Sequence, residues 1–272
     1  MLRPNCQQRS NRPSPRDGST CIEDDKQDLT LAAPKYLATA NRLLAHLPAE
    51  PVGFLLEHCE VVDLARHDIL SQSGERLAHA YFPIDCFVSA IFKLEESSTV
   101  HIDLIGNEGM IDIQMVLGVG VASLTSVVQG AGRAFRIRDV ELLKLIGDEP
   151  QIGIALHRYV AFRMDQLAQN QACTISHTVE QRLARWLLMA RDRAYSSELL
   201  LTHEVLALMM GVRRERVSSA AGSLQKRGLI SYSRGDITLL DEPALQAVSC
   251  SCYQSQVLAY DEVMGHQLDS NP

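Results

Sequence analysis

The residues with the most distinctive chemistry lie between Leu201 and Ile230, in the run LTHEVLALMMGVRRERVSSAAGSLQKRGLI. Arg213, Arg214 and Arg216 surround Glu215, and Ser218 and Ser219 follow. A guanidinium can give paired hydrogen bonds to guanine in a major groove, and a glutamate can accept from cytosine. Short hydroxyl side chains let a helix lie close to a phosphodiester backbone. From Thr202 to Arg234, six basic residues stand against Glu204 and Glu215, in a chain of net charge −7 and pI near 5.7. A cationic segment on an acidic protein is the distribution of a confined nucleic-acid contact, not of a protein coated in nucleic acid.

The surrounding pattern supplies elements to hold these groups. Thr202 suits the N-cap of a short helix whose inward face is Val205, Leu206 and Met209, and Gly211 then permits a tight turn. A second helix from about Arg213 to Arg227 would bury Val217, Ala221 and Leu224, spaced four and three. Arg213, Arg214, Glu215, Arg216, Ser218 and Ser219 would remain on or near its exposed first turns, and Gly228 would close it. The next run, ISYSRGDITL, reads as two short strands about an Arg-Gly-Asp turn, a wing that brings Arg234 to phosphate. A solvated arginine cluster or a single glycine between helices is common. The ordered set is the design of a winged helix-turn-helix.

Upstream, residues 1–33 carry Pro4, Pro13 and Pro15 with many polar residues and no hydrophobic period, and are expected to form a disordered arm. Helical patterns span Tyr36 to Leu47 and Pro51 to Cys59. The period then changes to two around Val61 to Leu64, Ala80 to Phe82, Phe87 to Phe92, Val100 to Leu104, Ser123 to Val128 and Ala134 to Ile137. Turn residues separate these runs, which predicts a β-roll or related all-β unit within residues 34–148. From Pro150, the residues Ile152, Leu156, Val160, Met164, Leu167 and Gln171 form a stripe along a helix of about six turns. Residues 149–174 are read as a dimerisation helix, with packing on the chain's own β-unit as the alternative. Thr178 and Gln181 suggest a capping box for a helix whose face is Val179, Leu183, Trp186, Leu187 and Ala190. It opens a DNA-binding domain at 175–247, and 248–272 is left as a tail. The fold class expected is α+β: a double-stranded β-helix (jelly-roll-like β-roll), a long dimerisation helix and a winged helix-turn-helix.

Several classes are excluded. No apolar run approaches the roughly 18 residues a membrane span needs, and no apolar segment follows the N-terminal arginines as a secretory signal requires, so a cytoplasmic protein is expected. Seven scattered cysteines make no disulfide framework. Cys250 and Cys252 have no second close cysteine pair and no paired histidines at finger spacing, so ordinary free thiols and no metal are expected. No nucleophile with a base and no catalytic loop motif points to an enzyme.

The order of these elements resembles the Crp/Fnr superfamily of bacterial transcription regulators, over roughly Asn41 to Val248. The likeness is strongest in VEQRLARWLLM, from Val179 to Met189, and in Leu201 to Ile230. The resemblance implies that Arg214 and Glu215 match a pair that reads base edges and that Val217 is the buried valine behind them. Two departures matter: Ser219 stands where well-known members have a further base-reading arginine, and Arg213 where a small capping residue is usual. In cyclic-nucleotide-binding relatives a glycine-glutamate pair is followed by an arginine that holds the cyclic phosphate. Here no arginine or lysine occurs from Ile105 to Gly132, so binding of cyclic AMP in that manner is not expected. Cys6 and Cys21 are too few and too far apart for the N-terminal iron-sulfur cluster of another branch. The resemblance leaves the effector unknown and no cofactor assigned. It implies double-stranded DNA and a second copy of the chain as partners, with RNA polymerase as a further candidate. The competing reading is a ligand- or redox-responsive β-roll that acts mainly through a protein partner.

Overall fold

The computed structural model describes residues 40–95 and 98–265, so the arm expected at 1–33 lies outside the described residues. The described chain opens on buried Asn41, whose Oδ1 accepts from the Leu44 amide while Nδ2 donates to the carbonyls of Pro83 and Gly109, each at 2.9 Å. This side chain caps helix α1 (Arg42–Ala45) and fastens it to the β-unit; α2 (Ala49–Glu57) follows.

Two antiparallel sheets form the β-unit and do not close into a barrel. In one, β7 (Gly132–Arg138) lies between β1 (Glu60–Leu64) and β3 (His79–Pro83), with Phe135 opposite both Val61 and Phe82. The other has the order β2 (Ile69–Ser71), β6 (Thr125–Gly130), β4 (Phe87–Glu95), β5 (Ser98–Ile105). Tyr81, Cys86, Val88, Ile105, Ile111 and Val128 are buried together between the sheets. The alternation read between Val61 and Ile137 thus forms the expected strands. The three-residue β2 and the helix α3 (Asp139–Asp148) had no distinguishing period.

Helix α4 (Pro150–Ser176) has its proline in the first turn and spans 27 residues, about 40 Å at 1.5 Å per residue. Its apolar stripe divides. Ile152 and Leu156 are fully buried in the chain's own core with Leu43, Leu55, Phe82 and Phe135, whereas Met164 is 67% and Ile175 76% exposed. Midway, Arg163 forms a buried ion pair with Asp103 of β5 and donates to Gln166 Oε1, and burial draws its pKa down to about 9.

Helix α5 (Val179–Ala194) begins at the capping box expected of Thr178 and Gln181 and buries Leu183, Trp186, Leu187 and Ala190. Then come β8 (Glu198–Leu200), α6 (His203–Met210), α7 (Arg214–Lys226), β9 (Ile230–Ser233) and β10 (Asp236–Leu239), the strands pairing in the order β8-β10-β9. Phe87 and Leu104 of the β-unit join the core of this region, so α6 packs against β5. Helix α8 (Glu242–Val248) follows. The residues beyond it fold back as α9 (Cys252–Gly265) along α4, where Tyr260 meets Phe162 edge to face at 5.1 Å. Among the described residues no helix is long and apolar enough to cross a membrane.

Candidate nucleic-acid interface

The two central helices owe their relative placement to local chemistry. Thr202 accepts from the Val205 amide at 3.2 Å and caps α6, and Gly211 ends it at φ +61°, a backbone that L side chains rarely adopt. The Arg182 guanidinium of α5 donates to the Met210 carbonyl, fixing the last turn of α6 against the domain core. Helix α7 then starts at Arg214, with Arg213 as an extended N-cap that offers no side-chain cap, as expected where a small polar residue is missing. Val217, Ala220, Ala221 and Leu224 are buried, which turns the opposite face outward. At its far end Arg227 pairs with Glu180 of α5 at 3.0 Å.

All eight residues singled out by their chemistry are exposed: Thr202, Arg213, Arg214, Glu215, Arg216, Ser218, Ser219 and Arg234. None of Arg213, Arg214, Arg216 and Arg234 is held by a protein carboxylate among the described residues, so their donors face solvent. Arg234 lies in a two-residue turn between Ser233 and Asp236, with φ +52° at Arg234 and +98° at Gly235. Positive φ at both positions is the hairpin geometry that matches strand twist, and it projects the Arg234 side chain from the tip of the wing.

One participant was missed from the sequence. His203 stacks on Tyr232 of the wing with ring centroids 3.9 Å apart, and its Nδ1 lies 2.9 Å from Ser218 Oγ. Burial and the nearby Arg214 lower its pKa. His203 therefore links the first helix, the second helix and the wing into one surface, and Ser218 is already partnered within it. A polar residue after a capping threonine carries no sequence signal for such a role.

The glycine-glutamate segment of the β-unit is used differently from a phosphate cradle. Glu108 Oε1 accepts from Nε and Nη2 of Arg193 on α5, at 3.0 and 2.6 Å, and both side chains are buried. Gly106 lies so close to the Arg193 side chain that a Cβ there would collide with it, and Gly109 is similarly closed by Tyr159. Asn107 bonds to the Tyr195 hydroxyl. These residues join the β-unit to α5 and to Tyr195 at its end.

A second constellation lies where the end of α4 meets the break between α8 and α9. Cys173, His177, Cys250 and Cys252 place four ligand atoms within 4.8 Å of one another. Cys173 Sγ is 3.5 Å from Cys250 Sγ, and Cys252 Sγ is 3.6 Å from His177 Nδ1. The bond from Cys250 and the charge of Arg185 draw the Cys173 thiol down, while the same bond and burial push Cys250 up. Cys250 and Cys252, expected as ordinary free thiols, stand here with Cys173 and His177, which complete the group.

Comparisons with known proteins agree with this architecture. Residues 181–248 match the family of Crp-like helix-turn-helix domains. Among solved structures, the chain is similar to FixK2 from Bradyrhizobium japonicum at 15% identity and TM-score 0.61, with 71% of this chain and 98% of that one covered. It is also similar to a transcriptional regulator of the Crp/Fnr family from Eubacterium rectale, at 16% identity and TM-score 0.59 over 77% and 98% of the two chains. A third is the c-di-GMP-responsive global regulator CLP of Xanthomonas campestris, at 16% identity and TM-score 0.57 over 71% and 99%. No curated protein matches the sequence. Residues 181–248 are therefore similar to Crp-like helix-turn-helix domains, and the chain shares its fold with solved Crp/Fnr regulators.

Proposed function

We propose that the protein is a homodimeric transcription regulator that reads a palindromic operator through α7. The observation that carries this reading is the division of α7 itself. Val217, Ala221 and Leu224 are buried on one side, and unpaired arginines with Glu215, Ser218 and Ser219 are exposed on the other, beside a wing tipped by Arg234. Arg214 and Glu215 are assigned to base edges; Arg213, Arg216, Thr202 and Arg234 to phosphate or sugar; Ser218 and Ser219 to close approach. The exposed second half of the α4 stripe, with Met164, Leu167 and Ile175, is assigned to the two-fold interface. A two-fold dimer sets its recognition helices about 34 Å apart, one turn of the duplex, and so requires an imperfect palindrome.

Cyclic AMP is not its effector in this reading. The glutamate that would face a ribose is committed to Arg193, and the glycines beside it are closed by Arg193 and Tyr159. No cationic side chain between Ile105 and Gly132 is available to replace the water around a cyclic phosphate.

The test is selection from a random DNA pool with purified full-length protein at moderate salt, with and without cyclic AMP. The expected result is enrichment of a symmetric site with half-sites one turn apart, independent of the nucleotide. Binding should fall steeply with salt, because each neutralised phosphate releases counterions. Folded protein that enriches no site under either condition, or whose retention of DNA is indifferent to salt, would overturn this reading in favour of a protein partner.

A further inference from the structure

The group formed by Cys173, His177, Cys250 and Cys252 has a geometry that free thiols do not require. Zinc bound tetrahedrally at about 2.3 Å to sulfur and about 2.0 to 2.1 Å to nitrogen places its donors about 3.8 Å apart for two sulfurs and about 3.6 Å for sulfur and nitrogen. Here Cys173 Sγ and Cys250 Sγ are 3.5 Å apart and Cys252 Sγ is 3.6 Å from His177 Nδ1. All four atoms fall within 4.8 Å, the span of one ion; a multi-iron cluster would need its thiolates around a larger core. Three ligands are buried and His177 is half-buried, which leaves one side open to an incoming ion.

The charges around the group point the same way. Arg182 and Arg185 are 6% and 2% exposed, and among the described residues neither forms an ion pair with a carboxylate. Their hydrogen-bond acceptors are neutral: the Met210 carbonyl for Arg182, and Asn170 Oδ1 at 2.6 Å and Gln256 Oε1 at 2.8 Å for Arg185. Buried cations require nearby negative charge. Three thiolates, a neutral imidazole and a divalent cation sum to one negative charge, which supplies it. Cys252 is also the first residue of the 14-residue α9, where the helix dipole favours a thiolate.

We propose that Cys173, His177, Cys250 and Cys252 form a structural site for a divalent thiophilic cation of the zinc type. Each cysteine binds as its thiolate, releasing its proton to solvent, and His177 binds through the neutral ring. The ion clamps two junctions together. Cys173 ends the last buried turn of α4 and His177 is its C-cap, one residue before Thr178 starts α5; Cys250 and Cys252 span the break between α8 and α9. The loaded site therefore fixes the elbow between the long helix and the helix-turn-helix domain.

The experiment uses the full-length chain, reduced under anaerobic conditions, incubated with Zn2+ and desalted against a weak chelator before elemental analysis. A single zinc per chain is expected, and Co2+ in its place should give the visible bands and thiolate charge transfer of tetrahedral coordination. C173S and C252S should lose the metal, whereas C59S and C86S, whose thiols lie elsewhere, should retain it. H177A keeps all three thiols in place should C173S fail to fold, and is expected to lower affinity at least about tenfold; R185M, which removes the counter-charge, should cost about 10- to 100-fold. Zinc should also slow amide exchange at residues 174–179 and 249–255. Zinc lost on desalting, or zinc retained by a folded C173S/C252S double variant, would each overturn the site.

Discussion

Arg214 and Arg234 are both exposed and carry the same charge, yet the proposed reading assigns them different tasks. Arg214 opens the first turn of α7, so its donors can reach base edges, and R214A should cost on the order of 1 to 3 kcal/mol on the selected operator while relaxing preference at one base pair. Equal losses on operator and random DNA would reduce Arg214 to a phosphate contact. R234A, at the wing tip, should instead weaken all sequences alike and lower the salt slope by about one. Titration sets another residue apart. His101 of β5 is buried with its Nδ1 unpartnered, and burial draws its pKa from 6.5 down to about 4. Between those values the unfolded chain takes up a proton that the folded chain refuses, so the folded state loses stability as pH falls. The penalty is absent above about pH 7 and reaches about 3 kcal/mol near pH 4. Urea unfolding from pH 7 to 4.5 should show this slope, and H101Q should flatten it; parallel profiles would assign the acid sensitivity elsewhere.

Elements are joined here by buried charge as well as by apolar contact. Asp103 on β5 holds Arg163 on α4, and Glu108, just beyond β5, holds Arg193 on α5, so both long helices are keyed to one edge of the β-unit. Removing one partner leaves an uncompensated buried charge, and E108Q should destabilise by about 3 to 5 kcal/mol in denaturant titrations. G106A tests the same junction from the other side. Its new Cβ meets the stem of Arg193 and must push that side chain off Glu108, so G106A and E108Q together should destabilise by less than the sum of the two alone. Strict additivity would mean that Gly106 serves some other purpose than close approach.

At the scale of the whole molecule only part of the long helix lies in the chain's own core. Ile152, Leu156, Tyr159 and Phe162 complete the core of the chain itself, and Met164, Leu167 and Ile175 leave apolar area beyond it. One exposed aliphatic is ordinary; three on one helix in a helical spacing of three and eight are the pattern of a seam. M164E combined with L167E should convert a dimer into a monomer in sedimentation velocity and abolish operator binding with little change in chain stability. A double variant that remains dimeric would move the two-fold axis to another surface. The folding of α9 back along α4 belongs to this scale too: Arg42 lies over the Tyr260 ring at 4.5 Å and pairs with Asp261 at 2.9 Å, tying the last described helix to the first.

What the sequence by itself determined is what depends on neighbours in the chain. The capping of α5 by Thr178 and Gln181, the α6-turn-α7 unit, its buried Val217, Ala221 and Leu224, the wing and most strands of the β-unit follow from spacing, capping and turn chemistry within about ten residues. The short β2 and β8 and the helix α3 escaped notice because three strand residues carry too little period, and because α3 follows β7 without a break. Only the tertiary structure decided the rest. It turned half of the α4 stripe inward, committed Glu108 to an arginine 85 residues away, and set Cys173 against Cys250 across 77 residues. Contacts of that range have no periodicity in the chain. They exist because burying the apolar faces of α4, α5 and α9 brings the polar residues between them into one place, where desolvation forces each to find a partner.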